Sequence, residues 1–378
     1  MFIDSHWHAR DLNEKAKETV GHSLAVGEAA GLDAIVAMPN TNPPLTTLEA
    51  CEAYLKLADA CKSRVQFYVL IGLTPNPEQV KLAVEATRKN PRIVGLKAYW
   101  GSSTGNLLIG KKEEQMKVFE VLVREGYKGV LVGHFEDEAL IRKELYDSKN
   151  PKTWNTLCRS EKAEGSSVDN ILDIAESAKA TVTVRNEVRE DGAVRIVKSL
   201  EEVGYVGKLH IAHVSTPEVV DAVANYEGPL KLTCGVTFHH VIFNDDMLQG
   251  PDGRWYKCNP PLRCEATRKA LLDALLDGRI NDVESDHASH DVESKNSVVP
   301  ASGIASGTVW PYFFKFLRTK NVSPTIMTDV LFSNAVKLYN LQFEKRNFRP
   351  NLRKLEELQG FYPFDPFADF KRQYKPDF

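Results

Sequence analysis

The sequence predicts a (β/α)8 barrel, and three observations carry that prediction. Short apolar runs alternate with amphipathic segments, the pattern of βα units around a parallel sheet. Eight such runs can be read in order along the chain. Two of them, VQFYVLIGL and IVGLKAYW, are almost continuously apolar, as strands covered on both faces must be.

The expected strands are Phe2–His6, Asp33–Met38, Val65–Leu73, Ile93–Tyr99, Gly129–His134, Lys208–His213, Leu230–Val236 and Asn281–Asp286. Between them lie helix-like stretches: TTLEACEAYLKLADACK, PEQVKLAVEATRKN with its early Pro77, EEQMKVFEVLVREG ending at Gly126, and EATRKALLDALLDG ending at Gly278. Pro near the start and Gly just past the end punctuate helices in this way. One interval breaks the rhythm. Glu136 to Gly207 is far longer than a single crossover helix needs, and its part from Tyr146 to Gly165 is polar and irregular, followed by an extra helix expected at Ser167–Lys179. It reads as an insertion at about 138–180 over the barrel mouth, either a lid or a surface excursion.

A chain of 378 residues is long enough for two or three average domains, yet one barrel can reach about 250 residues or more. The strand count favours a single barrel over residues 1–341, followed by an aromatic-rich tail, 342–378, that packs on its exterior. Hydrophobic residues make up 43% and charged residues 26%, and Lys+Arg 48 against Asp+Glu 51 gives a net charge of -3. That excludes a disordered chain and offers no basic surface for nucleic acid or an anionic membrane. A small anionic substrate stays open. No apolar run approaches the roughly 20 residues of a membrane span, and Met1–His6 has no basic-then-apolar leader, so a cytoplasmic location is expected. The six cysteines form no C-x-x-C pair, which fits reduced, structural thiols, Cys234 and Cys258 among them.

Histidine, with ten residues, is the count that points to chemistry. His6 and His8 stand two apart at the end of the first strand, so both imidazoles can reach one metal ion, and Arg10 continues the same side with a fork suited to a carboxylate. Lys97 lies near the end of the fourth strand, where a buried ammonium is costly unless it is paired or chemically altered. His134, His213 and Asp286 end the fifth, sixth and eighth strands. Each alone reads more readily as a hydrogen-bonded or exposed polar group at a strand end. Together they fall on the C-terminal face, where barrel enzymes build their sites.

DSHWHAR, VAMPNTNPP, GLKAY, GHFED, HIAHVST, KCNPPLR, SDHASH and SNAVKLYNL, in that order over roughly residues 1–341, resemble the motif series of the dihydroorotase branch of the metal-dependent amidohydrolase superfamily. The resemblance implies a binuclear centre, usually zinc, with Mn²⁺ or Co²⁺ able to replace it. His6 and His8 with Asp286 would hold one ion, His134 and His213 the second, and a Lys97 carboxylated by CO2 would bridge them. A hydroxide shared by the two ions would attack the amide carbonyl, and Asp286 would move the proton to the departing nitrogen. Arg10, Asn40 and His290 align with the carboxylate-binding residues. Asn259 and the loop around Gly303 would contact the substrate ring. The resemblance also implies a homodimer and an aspartate transcarbamoylase partner as candidate assemblies.

The chain departs from longer members of the family. Its H-x-H begins at residue 6 and no strand-rich segment follows Leu341, so the β-sandwich side domain is expected to be absent. Ser289 stands where Pro is frequent. At most one of His210, His239, His240 and His287 is expected to orient a ligand, and His22 matches nothing. Two rivals remain: a hydantoinase, dihydropyrimidinase or allantoinase, whose substrates would leave Arg10 and His290 without purpose, and a catalytically silent partner of aspartate transcarbamoylase, which would have lost ligands.

Overall fold

A computed structural model describes residues 2–178, 180–182, 186–188, 194–196, 201–342 and 349–377. Eight parallel strands form one sheet: β1 (Ile3–Trp7), β2 (Ala34–Ala37), β3 (Gln66–Gly72), β4 (Ile93–Tyr99), β5 (Val130–His134), β6 (Lys208–Ile211), β7 (Lys231–Thr237) and β8 (Asp282–Glu284). They pair strictly in chain order, and the seam from β8 to β1 closes just beyond the last strand. There Trp7 bridges His287 in parallel, and the His8 N–H donates to the His287 carbonyl at 2.8 Å. The result is the expected (β/α)8 barrel, and each expected strand overlaps an observed one.

The helices obey the local rules read from the sequence. Thr19 and Thr47 cap the helices Val20–Ala30 and Leu48–Ala60 through their side-chain oxygens, and Pro77 opens Pro77–Lys89 at its first position. The barrel interior is filled by Ile3, Ala34, Val36, Leu70, Val130 and Val132, packed with Leu338, Tyr339 and Leu341. Its outside is clad by the helices in a much larger apolar cluster.

The long interval after β5 folds differently from the expectation. Its helix runs from Glu161 to Ser177, begins six residues earlier than expected and packs against both Lys112–Arg124 and Pro217–Ala224. It is therefore the ordinary crossover helix of the fifth βα unit, not an extra one. The stretch before it runs through short turns to the π-helical segment Trp154–Cys158, whose Trp154 Nε1 reaches Asn259 at the site face. The stretch after it includes two antiparallel strand pairs, Ala180–Val182 with Glu201–Val203 and Asn186–Val188 with Val194–Ile196. Lys179, the expected helix end, lies outside the described residues.

The described part of the tail folds back on the barrel. Phe367 and Phe370 are buried, Trp255 stacks on Phe364, and the Tyr362 hydroxyl donates to Glu18 Oε1 at 2.6 Å. None of the described helices is long and apolar enough to cross a membrane.

Candidate active site

The ends of β1, β4, β5, β6 and β8 converge. Beyond its regular strand, three residues bend the chain through a left-handed conformation that side chains rarely adopt: Arg10 (φ 53), His213 (φ 43) and Asp286 (φ 44). Each such residue costs of order 1–3 kcal/mol, and clusters of them mark functional sites. All three are among the residues expected to carry the chemistry.

His6 Nε2 lies 3.5 Å, and His8 Nε2 3.0 Å, from Asp286 Oδ1, so three ligand-type atoms face one point. Across from them, His134 Nδ1 stands 3.2 Å from His213 Nε2. Lys97 is fully buried, and its Nζ has no hydrogen-bond partner. Burial lowers the Lys97 pKa and raises that of the neighbouring Glu284. Burial also lowers the pKa of His6, His8, His134 and His213, helped for His6 by the Lys97 charge and for His213 by His134. Neutral imidazoles with lone pairs aimed into one space, and an orphaned buried amine, are what a pair of divalent ions and a carbamate would need. The donor set is nitrogen and oxygen without thiolate, which suits Zn²⁺, Mn²⁺ or Co²⁺.

Four of the five residues expected to bind substrate line the same pocket, Arg10, Asn40, Asn259 and Gly303, together with Tyr99, Ser103 and Thr104, whereas His290 lines a separate small cavity behind Gly303. Arg10 is buried, its Nη2 faces His290 Nε2, and its Nε and Nη1 have no protein partner. Asn40 Oδ1 lies 2.7 Å from His8 Nδ1 while its amide donates to the Thr104 carbonyl. Gly303, at φ 148, is required by packing: a Cβ there would meet the His290 ring at 2.8 Å and the Ala288 carbonyl at 2.7 Å.

Three groups escaped the sequence reading. Glu136 accepts from His134 Nε2 at 2.9 Å, and its place two residues after His134 was the available signal. Glu284 stands 3.0 Å from His6 Nδ1 and 2.7 Å from His210 Nε2, over a Gly235 whose Cβ would collide with it at 1.8 Å. Lys295 is buried and donates to the Gly303 carbonyl at 2.6 Å.

The remaining histidines divide by partner. His210 is engaged by Thr233 and Glu284, and His240 by Thr237 and the Pro260 carbonyl. His287 Nε2 pairs with Glu18, and its Nδ1 accepts the N–H groups of Ser306 and Gly307. His22 packs on Phe361 and Tyr362. His239 is buried, and neither ring nitrogen has a hydrogen-bond partner. Ser289 donates to the Lys17 carbonyl. The six cysteines are all free, and Cys234 and Cys258 are buried.

No family model matches the chain. A dihydroorotase from Listeria welshimeri is 31% identical over 352 residues, covering 91% of this chain and 74% of that protein. One from Staphylococcus epidermidis is 27% identical over 358 residues with the same coverage. Among solved structures, L-hydantoinase from Arthrobacter aurescens superposes with a TM-score of 0.74 at 20% identity, over 92% of this chain and 73% of that one. Dihydroorotase from Campylobacter jejuni gives 0.64 at 20% identity, over 91% and 84%. At such identities the structural likeness speaks for the barrel fold alone.

Proposed function

The chain belongs to the dihydroorotase family, and we propose that it catalyses the reversible hydrolysis of the cyclic amide of dihydroorotate to N-carbamoyl-L-aspartate, a step of pyrimidine biosynthesis. The observation that carries this reading is Arg10. Its guanidinium is buried beside His6, His8 and Asp286 with two nitrogens unpartnered, a fork for a substrate carboxylate next to the hydrolytic centre. A hydantoin has no carboxylate to fill it.

In this reading His6, His8 and Asp286 would hold one divalent ion and His134 and His213 the other, and a carboxylated Lys97 would add a ligand group. Zinc is the expected metal. Two such cations would supply Lewis acidity for the scissile carbonyl and acidify water at neutral pH. The chain's own groups do the rest. Arg10 and His290 fix the carboxylate, with Asn40 beside them. Asn259 and the backbone around Gly303 hold the ring. Asp286 Oδ1, within reach of both His6 and His8, takes the proton of the attacking water and returns it to the leaving amide nitrogen. Six cysteines, all free, support a reducing compartment such as the cytoplasm.

Purified protein supplied with zinc and bicarbonate is expected to hydrolyse dihydroorotate and to leave hydantoin and allantoin intact. Cleavage of the latter two without dihydroorotate turnover would overturn the substrate assignment.

A further inference from the structure

The segment that crosses the site face before Glu161 delivers one side chain into the interior. Arg159 is fully buried, its Nη1 donates to Glu136 Oε2, and its Nη2 donates to the Ser102 carbonyl. Glu136 is equally buried and accepts from His134 Nε2 through the same oxygen. His134 thus presents its other nitrogen, Nδ1, towards His213 Nε2. The segment around Arg159 is itself anchored. Arg263 Nη1 donates to the Arg159 carbonyl at 2.6 Å and to Asn155 Oδ1 at 2.8 Å, and Arg263 Nε donates to Ser215 Oγ at 3.0 Å. Trp154 Nε1 donates to the Cys258 carbonyl at 3.1 Å. Nothing in this arrangement resembles a hinged cover: the segment is bolted down by buried charge-assisted bonds.

We propose that Arg159 is a positioning residue for the second metal, acting through Glu136: it holds the carboxylate where it fixes the tautomer and orientation of His134. The inference rests on the binuclear reading above. The physical need is plain. A metal-ligating imidazole must keep the liganding nitrogen deprotonated, which requires an acceptor on the other nitrogen, and such carboxylate partners change metal affinity about 10–100-fold when removed. A buried carboxylate in turn requires a fixed cation, and the Arg159 fork also grips Ser102, so it cannot swing away.

The test is the metal content of the whole protein, titrated with a chelator of graded strength, for wild type, Arg159→Met, Arg159→Lys and Glu136→Gln. Arg159→Met is expected to hold one equivalent as wild type does and the other about 10–100-fold more weakly. Arg159→Lys restores part of that loss, since an ammonium can reach Glu136 but cannot grip Ser102 at once. Glu136→Gln is expected to be the most damaging, because its neutral amide oxygen, set between the same two donors, supports the His134 N–H less than a carboxylate and leaves the buried Arg159 charge without a counter-ion. Loss of both equivalents together, equal retention of both in Arg159→Met, or a Glu136→Gln milder than Arg159→Met overturns the proposal. If Arg159→Met fails to fold, the other two variants decide: wild-type retention of the weaker equivalent in Glu136→Gln, or no selective loss in Arg159→Lys, refutes it. A wild type that binds no metal instead overturns the reading on which it rests.

Discussion

Arg10 Nη2 lies 3.3 Å from His290 Nε2, and burial together with the Arg10 charge keeps the His290 pKa far below its usual value. The histidine is therefore a neutral neighbour that leaves the guanidinium's charge uncompensated. Replacing Arg10 with Met removes a charge-assisted contact of about 1.5–3 kcal/mol. The expected outcome is a KM for dihydroorotate raised roughly tenfold to a hundredfold with kcat little changed, read from initial-rate kinetics. A fall in kcat with KM unmoved would contradict carboxylate binding.

Asp286→Asn keeps the shape of the site and removes the proton acceptor. The expectation is the reverse split: kcat down by about 10²–10⁴ with KM nearly constant. Steady-state rates at saturating substrate check it.

Lys97→Ala deletes the orphaned amine at the centre of the cluster. Metal analysis should fall from two equivalents per chain towards one or none, and an experimental density map of the wild type should show an extra planar group on Nζ. Two firmly held metals in the variant would remove Lys97 from the site.

Lys295 tests the ring-side loop. Burial lowers its pKa from 10.5 to about 7 while its Nζ donates to the Gly303 carbonyl. Below pH 7 the lysine is charged folded and unfolded, so the folded state bears the full desolvation cost. Between pH 7 and 10.5 only the unfolded chain holds the proton, so stability rises with pH through that window. Urea titrations should show the wild type gaining on Lys295→Met above pH 7, by at most about 1.4 kcal/mol per pH unit. A constant difference across the range would show that Lys295 does not titrate there.

What was legible in the sequence was whatever depends on short spacing. The eight strands announced themselves as apolar runs, and His6, His8, Lys97, His134, His213 and Asp286 could be singled out because each lies within two residues of a strand's C-terminal end. The illegible part is made of partners far apart in the chain. Arg159 and Glu136 are separated by 23 residues, and Tyr362 and Glu18 by 344, and nothing local says that these charges are buried. The crossover helix was misplaced for a related reason: Glu161 and Glu164 look like loop residues, yet Glu164 is buried against Ser215 and Arg263. Glu136 and Glu284 could have been found, since each lies two residues from a ligand candidate on the same face of its strand.

The contact between Tyr362 and Glu18 also sets an order of events during synthesis. Glu18 holds His287, and His287 in turn receives the backbone of Ser306 and Gly307 and, through its carbonyl, that of His8. Tyr362 follows every barrel strand in the chain and emerges from the ribosome after them. A nascent barrel therefore has all eight strands before the hydroxyl that donates to Glu18 exists, and the Glu18–His287 pair gains that partner only once the tail has docked.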